Sequence, residues 1–508
     1  MKKKLKVFFT YLGVILLSLL MTVFVCAAFL FFYRDGNIFG LQYIKRNEVI
    51  YANVQNVSTS SIKGISVASE GFDIKIDINS YSSEIRGAMV NKAFGYVHKS
   101  KAHANISARF DESTGTVVFD VVEPGGWVSK KDCYIAIGIP ESLVDGDIDI
   151  DVNSEKGDIS VGGNKKISVN DIYVRSGKGE TTLTNLVIKG DLGFDVGSGW
   201  LFVDEKCVAS DIDISVKLGS GKINLTRIKE FSIKSVKVES IKSGTIGVLK
   251  AFEVVTEGDI NGGGKIEVGE VKEVTILSLD TDIKVGTLGE LGSESALTSR
   301  IDISGNGDVE ILKAYTNLQI TGHNGDVKIN EVTGDVSLTT NQGDVEIYNA
   351  YKNVSVDTQY GNARVQFSDQ APQYSSGGRV LIAGTKNGHI MASGLQNASV
   401  TIREKGRVSL DYDLVRGENS IMAPKTGIIN IVVPYKNDFE SVAINLKTIS
   451  ETLPDVKVGT ADSQQAYIED GVYILDVDDI YGTAGKNSLN IETATAVIKI
   501  RSKDLINF

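Results

Sequence analysis

The fold of this chain is decided by residues 307–367, which read GDVEILKAYTNLQITGHN, GDVKINEVTGDVSLTTNQ, GDVEIYNAYKNVSVDTQY and GNARVQF. Each complete unit has 18 residues, and the units begin at Gly307, Gly325, Gly343 and Gly361. Apolar residues recur at the third, fifth, twelfth and fourteenth positions. Because residues two apart lie on the same face of a strand, each unit predicts two short strands with one apolar face.

A single unit of this kind cannot bury its apolar face, whereas stacked units continue each apolar column into the next coil. The repeat therefore predicts an all-β fold, a parallel β-solenoid (β-helix), in which Val309, Val327 and Val345 share one interior column. The composition agrees, because 52 glycines against 6 prolines fit turns that recur once or twice per coil.

The glycine that opens a coil also occurs outside these units, at less regular spacing. The further positions are Gly157, Gly179, Gly199, Gly221, Gly244, Gly388 and Gly406. We therefore predict solenoid repeats over residues 146–412. An uncovered end would expose apolar surface and unpaired strand edges. We accordingly predict an N-terminal β cap over residues 61–145, ending shortly after an apolar strand that Pro140 closes, and a C-terminal β cap over residues 413–508.

Residues 1–34 have the pattern of a short cytoplasmic stub and a membrane anchor. Four lysines stand between Met1 and Lys6, and the segment that follows, from Val7 to Tyr33, carries no charge. This segment is long enough to cross a bilayer, so it predicts one transmembrane helix. The positive-inside rule then predicts a single-pass protein of the cell membrane, with a cytoplasmic N-terminus and an extracellular ectodomain joined to the helix by a linker over residues 35–60. A cleaved signal peptide and a lipoprotein acylated on Cys26 are the alternatives.

Charge and cysteine content narrow the classes of partner. Outside the first six residues the chain holds 49 Lys plus Arg against 64 Asp plus Glu, a net charge of −15. An acidic surface repels phosphate backbones, so we predict that nucleic acid is not a partner. Cys133 and Cys207 stand far apart in the repeat scheme. They fit buried strand positions better than a disulfide or a metal site.

Several coils share the form Gly-Asp-Val/Ile-x-Ile/Val, including GDISV from Gly157, GDVEI from Gly307 and GDVKI from Gly325. With the opening strands and the strand that ends at Pro140, these coils resemble the bacterial putative-adhesin family of β-solenoid proteins, which includes LiaG-like cell-envelope domains of unknown function. The resemblance covers residues from about 60 to the end of the sequence. It implies a membrane-attached solenoid that faces the cell envelope, and it brings no catalytic or cofactor-binding residues.

The repeated Gly-Asp corner allows two interpretations. Stacked carboxylates at Asp308, Asp326 and Asp344 could bind Ca²⁺, which is the one cofactor that the sequence suggests. Alternatively, each aspartate accepts a backbone N–H at its own turn, and we favour this because the glycine-rich nonapeptide of calcium-binding β-rolls is absent. The run from Asp147 to Asp158 has oxygen ligands at calcium-loop spacing, but Val152 replaces the required glycine, so we predict a half-buried strand there.

Tyrosines give the candidate contact surface. Tyr315 and Tyr351 occupy the same position two coils apart, and Tyr348, Tyr360 and Tyr374 lie near them in the repeat. Aromatic rings on a solenoid face can stack on sugars, although tyrosine also packs along exposed strands. The interval from Gly361 to Gly388 is half as long again as one repeat, which predicts a projecting loop over residues 368–378 that would add to this surface.

These observations together predict a non-enzymatic, membrane-anchored cell-surface protein that acts as an adhesin or envelope-binding scaffold. Its predicted partners are a cell-envelope glycan or a surface protein, and the membrane through the N-terminal helix. The alternative is a sensor of envelope stress that regulates through a membrane partner. A glycan-degrading β-helix enzyme is the third hypothesis, and short turns disfavour it because such sites need carboxylates held by long loops.

Overall fold

The computed structural model of this chain describes residues 2–33, 41–54, 57–79, 84–98, 102–143, 148–227, 231–256, 260–290, 298–368, 378–433, 442–448, 456–458, 466–469, 472–476, 487–493 and 496–502. The chain forms two compact units. The first comprises Met1–Gly190 with Gly199–Val208, and the second comprises Asp191–Ser198 with Ala209–Phe508.

The first unit begins with a helix, and strands follow. Its elements are α1 (Lys2–Tyr33), β1 (Leu41–Lys45), β2 (Glu48–Asn53), β3 (Gly64–Ser69), β4 (Asp73–Asn79), β5 (Arg86–Asn91), β6 (Phe94–His98), β7 (Asn105–Asp111), β8 (Thr116–Val122), β9 (Trp127–Ser129), β10 (Tyr134–Pro140), β11 (Ile148–Ser154), β12 (Ile159–Val161), β13 (Ile167–Ser176), β14 (Glu180–Leu183), β15 (Leu186–Ile188) and β17 (Trp200–Val203), with 3-10 turns at Thr59–Ser61 and Glu141–Leu143.

The described elements of the second unit are all strands. They are β16 (Leu192–Val196), β18 (Val208–Leu218), β19 (Lys222–Leu225), β20 (Phe231–Ile241), β21 (Thr245–Thr256), β22 (Ile260–Leu288), β23 (Thr298–Asn306), β24 (Val309–Ala314), β25 (Asn317–Asn324), β26 (Val327–Ile329), β27 (Val336–Gln342), β28 (Val345–Ala350), β29 (Val354–Tyr360), β30 (Ala363–Phe367), β31 (Val380–Leu395), β32 (Asn397–Tyr412), β33 (Glu418–Ala423), β34 (Thr426–Val433), β35 (Val442–Thr448), β36 (Val456–Val458), β37 (Ala466–Glu469), β38 (Val472–Asp476), β39 (Asn487–Thr493) and β40 (Ala496–Ser502).

Helix α1 covers the segment for which the sequence predicts a helix. Its apolar side chains between Tyr11 and Val25 are exposed, Leu17 for example by 68%. Among the residues that the structure describes, no helix combines the length and the apolar character that crossing a membrane requires. The predicted helix is confirmed, and the predicted transmembrane span is not supported.

The apolar columns of the second unit have the predicted register. Val309 pairs with Val327, Val327 with Val345, and Val345 with Ala363, each time in parallel strands. All four side chains are buried, with at most 3% of their surface exposed. Burial of one such aliphatic side chain stabilises the fold by about 1.5–3 kcal/mol relative to exposure. The parallel β-solenoid predicted from the repeat is thus confirmed.

Glycine opens the coils of the regular repeat because backbones approach closely at this corner. Gly343 has a φ of +123°, a conformation that favours glycine. A Cβ atom placed on Gly343 would also clash with the carbonyl oxygen of Gly325 in the preceding coil. The same clash with the coil before would occur at Gly361, Gly388 and Gly406. A residue with a side chain would therefore be strained at these four positions.

In the first unit, parallel stacking begins inside the segment predicted as the N-terminal cap. Strand β3 pairs in parallel with β8 and β11, and β4 pairs in parallel with β10 and β12. Strand β7 is antiparallel to β8, β5 is antiparallel to β10, and β2 is antiparallel to β5. These three antiparallel strands cover the first coil. Strands β1, β6 and β9 form a separate three-stranded antiparallel sheet.

At the C-terminal end of the second unit, the order of the strands in the sheet differs from their order in the sequence. Strands β33 and β34 pair in parallel with β39 and β40, which come last in the sequence. Strands β35 and β36 then pair in parallel with the outer edges of β39 and β40. Strand β38 is antiparallel to both β35 and β37. The parallel stack therefore continues into the segment predicted as the C-terminal cap.

Candidate functional site

The aspartates of the Gly-Asp corner connect one coil to the next. Oδ1 of Asp308 accepts the backbone N–H of Asp326 at 2.9 Å, and Oδ1 of Asp326 accepts that of Asp344 at 2.8 Å. Oδ1 of Asp344 accepts the backbone N–H of Asn362 at 2.9 Å. The sequence predicted that each aspartate accepts a backbone N–H of its own turn. The aspartate does accept a backbone N–H, but the predicted donor was wrong. The N–H belongs to the same position of the following coil, which the stacking brings within reach.

These hydrogen bonds explain the stacked carboxylates without a bound ion. One oxygen of each carboxylate is held by a backbone N–H, which offsets repulsion between neighbouring charges. Across the residues that the structure describes, no group of three or more His, Cys, Asp or Glu side chains is placed to hold a metal ion.

The calcium-like run that begins at Asp147 is a strand, as predicted. Ile148, Ile150 and Val152 of β11 are at most 1% exposed. Oδ1 of Asp149 accepts the side-chain amide of Asn170 at 2.9 Å. Asp147, the first residue of the run, lies outside the described residues.

The structure distributes the predicted tyrosines over different parts of the coil. Tyr315 and Tyr351 are half-buried and follow Ala314 and Ala350, which lie in one column through bridges to Val332. Both lie at the corner that precedes the second strand of their coil. Tyr374 and most of the predicted projecting loop, residues 369–377, lie outside the described residues.

Tyr348 and Tyr360 are held by charged neighbours. The Tyr348 hydroxyl donates to Oε2 of Glu346 at 2.9 Å, and this hydrogen bond raises the pKa of Tyr348. The guanidinium of Arg364 lies 5.8 Å from the centre of the Tyr348 ring. Tyr360 is 43% exposed and lies at the glycine corner, at the other end of β29 from Tyr351. The described tyrosines therefore do not form one continuous aromatic platform.

Tyr360 instead borders a cluster of basic side chains, which we call the basic corner. The basic corner consists of Lys386, His389, Arg403, Lys405, Arg407 and Lys425. Asn387 pairs with Lys405 and His389 pairs with Arg407 in the parallel strands β31 and β32. These residues therefore flank the corner glycines of successive coils. Neighbouring strands of successive coils lie about 4.8 Å apart.

Two acids and one tyrosine lie among these cations. Arg403 binds both carboxylate oxygens of Asp357, at 2.7 and 2.8 Å. Glu404 lies 3.9 Å from Lys386 and 3.7 Å from Lys425. Lys386 also donates to the hydroxyl of Tyr360 at 2.9 Å, and this hydrogen bond raises the pKa of Lys386.

Lys405 and Arg407 differ from the other cations of the basic corner. Both side chains are exposed. Within the part of the chain that the structure describes, neither has a carboxylate at ion-pair distance. The basic corner therefore has a net positive charge, on a chain whose overall charge is −11.

The same corner carries aspartate in three of the four preceding coils. The residue after the corner glycine is Asp308, Asp326, Asp344 and Asn362 in four successive coils, and His389 and Arg407 in the next two. Sequence reasoning missed the basic corner because it compared the 18-residue units only with each other. Reading the residue after each glycine down the whole stack would have found the change of sign.

A second polar cluster lies at the start of the first unit. The carboxylate of Glu123, which is 3% exposed, accepts hydrogen bonds from the hydroxyl of Ser69 at 2.5 Å and the backbone N–H of Glu70 at 2.8 Å. It also binds the ammonium of Lys130 at 2.5 Å. Burial opposes ionisation, but the hydrogen bonds from Lys130 and Ser69 outweigh it and lower the pKa of Glu123. These contacts join β3 to the chain after β8.

The cysteines offer no activated nucleophile. Cys133 and Cys207 are free thiols and are buried, as predicted, but each directly precedes a strand, β10 or β18, and does not lie within it. Burial raises the pKa of Cys207 to about 11 and also raises that of Cys133. A thiol with a raised pKa is largely protonated near neutral pH and is a poor nucleophile.

Fold and surface together define a class of protein: a parallel β-solenoid with an exposed basic corner on one of its units. Residues 62–250 match a family model described as Toastrack DUF4097. This match confirms the resemblance to a β-solenoid family whose function is not established.

Two solved structures are similar to the chain at low identity. One is described as a putative cell adhesion protein from Clostridium sporogenes, with 12% identity, a TM-score of 0.14 and an alignment over 91% of this chain and 100% of that chain. The other, a putative adhesin from Parabacteroides distasonis, has 12% identity and a TM-score of 0.13 over 74% of this chain and 98% of that chain. Scores this low support no conclusion about activity or partners. No curated protein matches the chain.

Proposed function

We propose that this protein is a non-enzymatic surface scaffold, held at the cell membrane by α1, whose basic corner binds an anionic glycan of the cell envelope. The observation that carries the proposal is the pair of exposed cations without a carboxylate partner among the described residues, Lys405 and Arg407, in the middle of the basic corner. Adhesion to an envelope or to another cell is the role that such binding would serve.

The chemistry of the basic corner supports an anionic ligand. Opposite charges on ligand and surface accelerate encounter and select against neutral or cationic partners. Lys386, Lys405 and Lys425 come from three successive coils, which lie about 4.8 Å apart, so a polymer with several carboxylate or sulfate groups can contact more than one of them at once. Tyr360 adds one exposed ring beside Lys386 on which a sugar can stack.

Membrane attachment is supported by the sequence and exposure of α1. The segment from Val7 to Tyr33 carries no charge. The described apolar side chains in the middle of this segment, Leu20 and Phe24 among them, are 66% and 71% exposed. A lipid environment would remove this apolar surface from water, and the lysines before Val7 favour the cytoplasmic side.

The test compares a charged and a neutral polymer with the same sugar backbone. Full-length protein in nanodiscs of neutral lipid is titrated with dextran sulfate and with dextran. We expect binding to dextran sulfate only, and weaker binding as salt rises because ions screen exposed charges. The double variant Lys405→Glu with Arg407→Glu should weaken this binding by about tenfold, which corresponds to about 1.4 kcal/mol.

The chain supplies a matched control in an upstream coil. Lys222 follows the corner glycine Gly221 as Arg407 follows Gly406, and Lys242 is exposed in the next coil. The double variant Lys222→Glu with Lys242→Glu makes the same change in net charge and should leave binding unchanged. Equal losses in the two double variants would show a general charge effect and contradict the proposal. A protein that binds neither polymer and co-purifies with a membrane protein would favour the envelope-stress sensor.

A further inference from the structure

The small sheet of the first unit has one core face and one exposed face. Its strands β1, β6 and β9 pair in antiparallel order, with Tyr43 opposite Tyr96 and Tyr96 opposite Trp127. Ile44, Val97 and Ala102 form a buried cluster on one side, and Val128 packs against it. Because side chains alternate along a strand, Tyr43, Tyr96 and Trp127 lie on the other side.

Aromatic rings dominate the exposed face, which we call the aromatic face. Tyr43 is 46% exposed, Phe94 48% and Trp127 83%. The rings of Tyr43 and Tyr96 meet edge to face with their centres 5.3 Å apart. Lys45 lies opposite Phe94 and supplies a positive charge at the edge of this face. The register partners that surround these rings include no carboxylate.

Two glycines allow the strands of this sheet to approach. Gly95 of β6 has a φ of +144°, and a Cβ atom there would clash with the carbonyl oxygen of Trp127. Gly126, just before β9, has a φ of +109° and lies against the backbone of Tyr96. The close approach holds Trp127 beside Tyr96. The strand pairing therefore fixes which aromatic residues lie next to each other on this face.

The chain keeps the aromatic face near α1. The helix ends at Tyr33 and β1 begins at Leu41, so seven residues separate them. Even a fully extended chain of this length spans no more than about 28 Å. A bilayer with its headgroup regions is about 40–45 Å thick, and its hydrocarbon core is about 30 Å thick. A helix inserted in the membrane therefore confines the sheet to the neighbourhood of the headgroups.

We propose that the aromatic face lies on the membrane and inserts Trp127, Tyr43 and Phe94 at the boundary between lipid headgroups and acyl chains. Tryptophan and tyrosine prefer this boundary because their rings are apolar and their N–H or O–H groups remain in contact with water. Lys45 fits the negative surface of anionic lipids. The inference rests on the proposed insertion of α1, and it adds a second contact that would fix the orientation of the first unit on the membrane.

The two tryptophans of the chain make the test specific. Trp127 lies on the aromatic face. Trp200 is the first residue of β17 and is 56% exposed. The pairings of β4 with β12, β12 with β14 and β14 with β17 place Trp200 three coils beyond β4. Trp200→Phe leaves Trp127 as the only tryptophan, and Trp127→Phe leaves Trp200. The fluorescence of each variant therefore comes from a single exposed tryptophan, either Trp127 or Trp200.

Both full-length variants are reconstituted into vesicles of phosphatidylcholine and phosphatidylglycerol, with or without brominated acyl chains that quench indole fluorescence on contact. We expect brominated lipid to remove about half of the Trp127 emission, because an interfacial ring lies about 5–10 Å deep at the edge of the acyl chains. Trp200 emission should not change. Tyr43→Ser with Phe94→Ser in the Trp200→Phe background should restore Trp127 emission, while circular dichroism confirms the fold.

Flotation of the vesicles separates failure of this inference from failure of the proposed anchoring. A chain that does not float with the vesicles contradicts insertion of α1 and, with it, the docking of the sheet. A chain that floats while Trp127 is quenched no more than Trp200 retains the anchor and overturns the membrane contact. A shift of Trp127 emission on addition of dextran, with no response to brominated lipid, would assign the aromatic face to a glycan and also overturn the inference.

Discussion

The acidic and basic stretches of the glycine corner in the second unit share a backbone but use the next residue differently. In the acidic coils the side chain of Asp326 accepts the N–H of Asp344, so the side chain is part of the stack. In the basic coils the backbone N–H of His389 donates to Asn362. The side chains of Lys405 and Arg407 point to solvent instead.

This difference shows that the solenoid continues whether or not the side chain after the glycine bridges two coils. The residue after the glycine can then serve either the stack or a ligand. A repeat protein can therefore change the chemistry of one surface from coil to coil while its core stays the same.

The largest expected effect tests whether both stretches share one core. Ile347 in an acidic coil and Ile390 in a basic coil are both fully buried. Ile347→Ala and Ile390→Ala should each lower the free energy of unfolding by about 2–5 kcal/mol, because each leaves a cavity in one of two neighbouring columns of the core. Urea unfolding followed by circular dichroism measures this loss. Lys405→Ala, an exposed control, should stay within about 0.5 kcal/mol of the parent protein. A mild effect at Ile390 alone would mean that the basic coils are built differently.

The next effect concerns Glu123. Its carboxylate stabilises the fold, as those of the corner aspartates do, but it is buried, whereas the corner aspartates are exposed. Its pKa is lower than the ordinary value of 4.5, so folding favours the ionised form. The resulting stability is fully present above the unfolded pKa and is lost as pH falls through the folded pKa. Glu123→Gln should therefore lower the free energy of unfolding by about 1–3 kcal/mol at pH 7, with the difference shrinking below pH 4.5. Denaturation at several pH values measures it, and a difference that is independent of pH would contradict the assignment.

A smaller effect separates the two roles of the corner side chain directly. Asp326→Ala removes the acceptor for the N–H of Asp344 and should cost about 1 kcal/mol of stability. Asp326→Asn keeps an acceptor oxygen and should cost less than half as much. His389→Ala should be close to neutral, because the N–H of His389 and not its side chain makes the coil-to-coil bond. Equal losses for Asp326→Ala and His389→Ala would remove the distinction between the two stretches.

The sequence predicted the regular part of the fold well because the core has a short period. Val327 and Val345 occupy equivalent positions 18 residues apart, and parallel stacking of identical units leaves only one register. The hydrogen-bond partner of Asp326 was predicted wrongly, since an aspartate next to glycine fits both its own turn and the turn above it. Only the distance between coils decides between these partners.

The two candidate surfaces were harder to predict, for different reasons. The basic corner follows the long interval between Gly361 and Gly388, where comparison of equal-length units breaks down. The aromatic face joins Tyr43, Tyr96 and Trp127, which come from three strands far apart in the sequence. No periodicity connects these segments, and only the pairing of the folded strands brings the rings together.

The smallest expected effect tests whether the acidic stretch holds calcium. One oxygen of each of Asp308, Asp326 and Asp344 already accepts a backbone N–H, and Ca²⁺ takes six to eight oxygen ligands. We therefore expect about 1 mM Ca²⁺, compared with a chelator, to change the free energy of unfolding by less than about 0.4 kcal/mol, the value for a site that is half-saturated at that concentration. Thermal unfolding of the full chain with and without Ca²⁺ measures this change, with Asp326→Asn as the control. Stabilisation by Ca²⁺ that Asp326→Asn abolishes would show that the acidic stretch, too, has a ligand, and that both halves of the corner are binding surfaces of opposite charge.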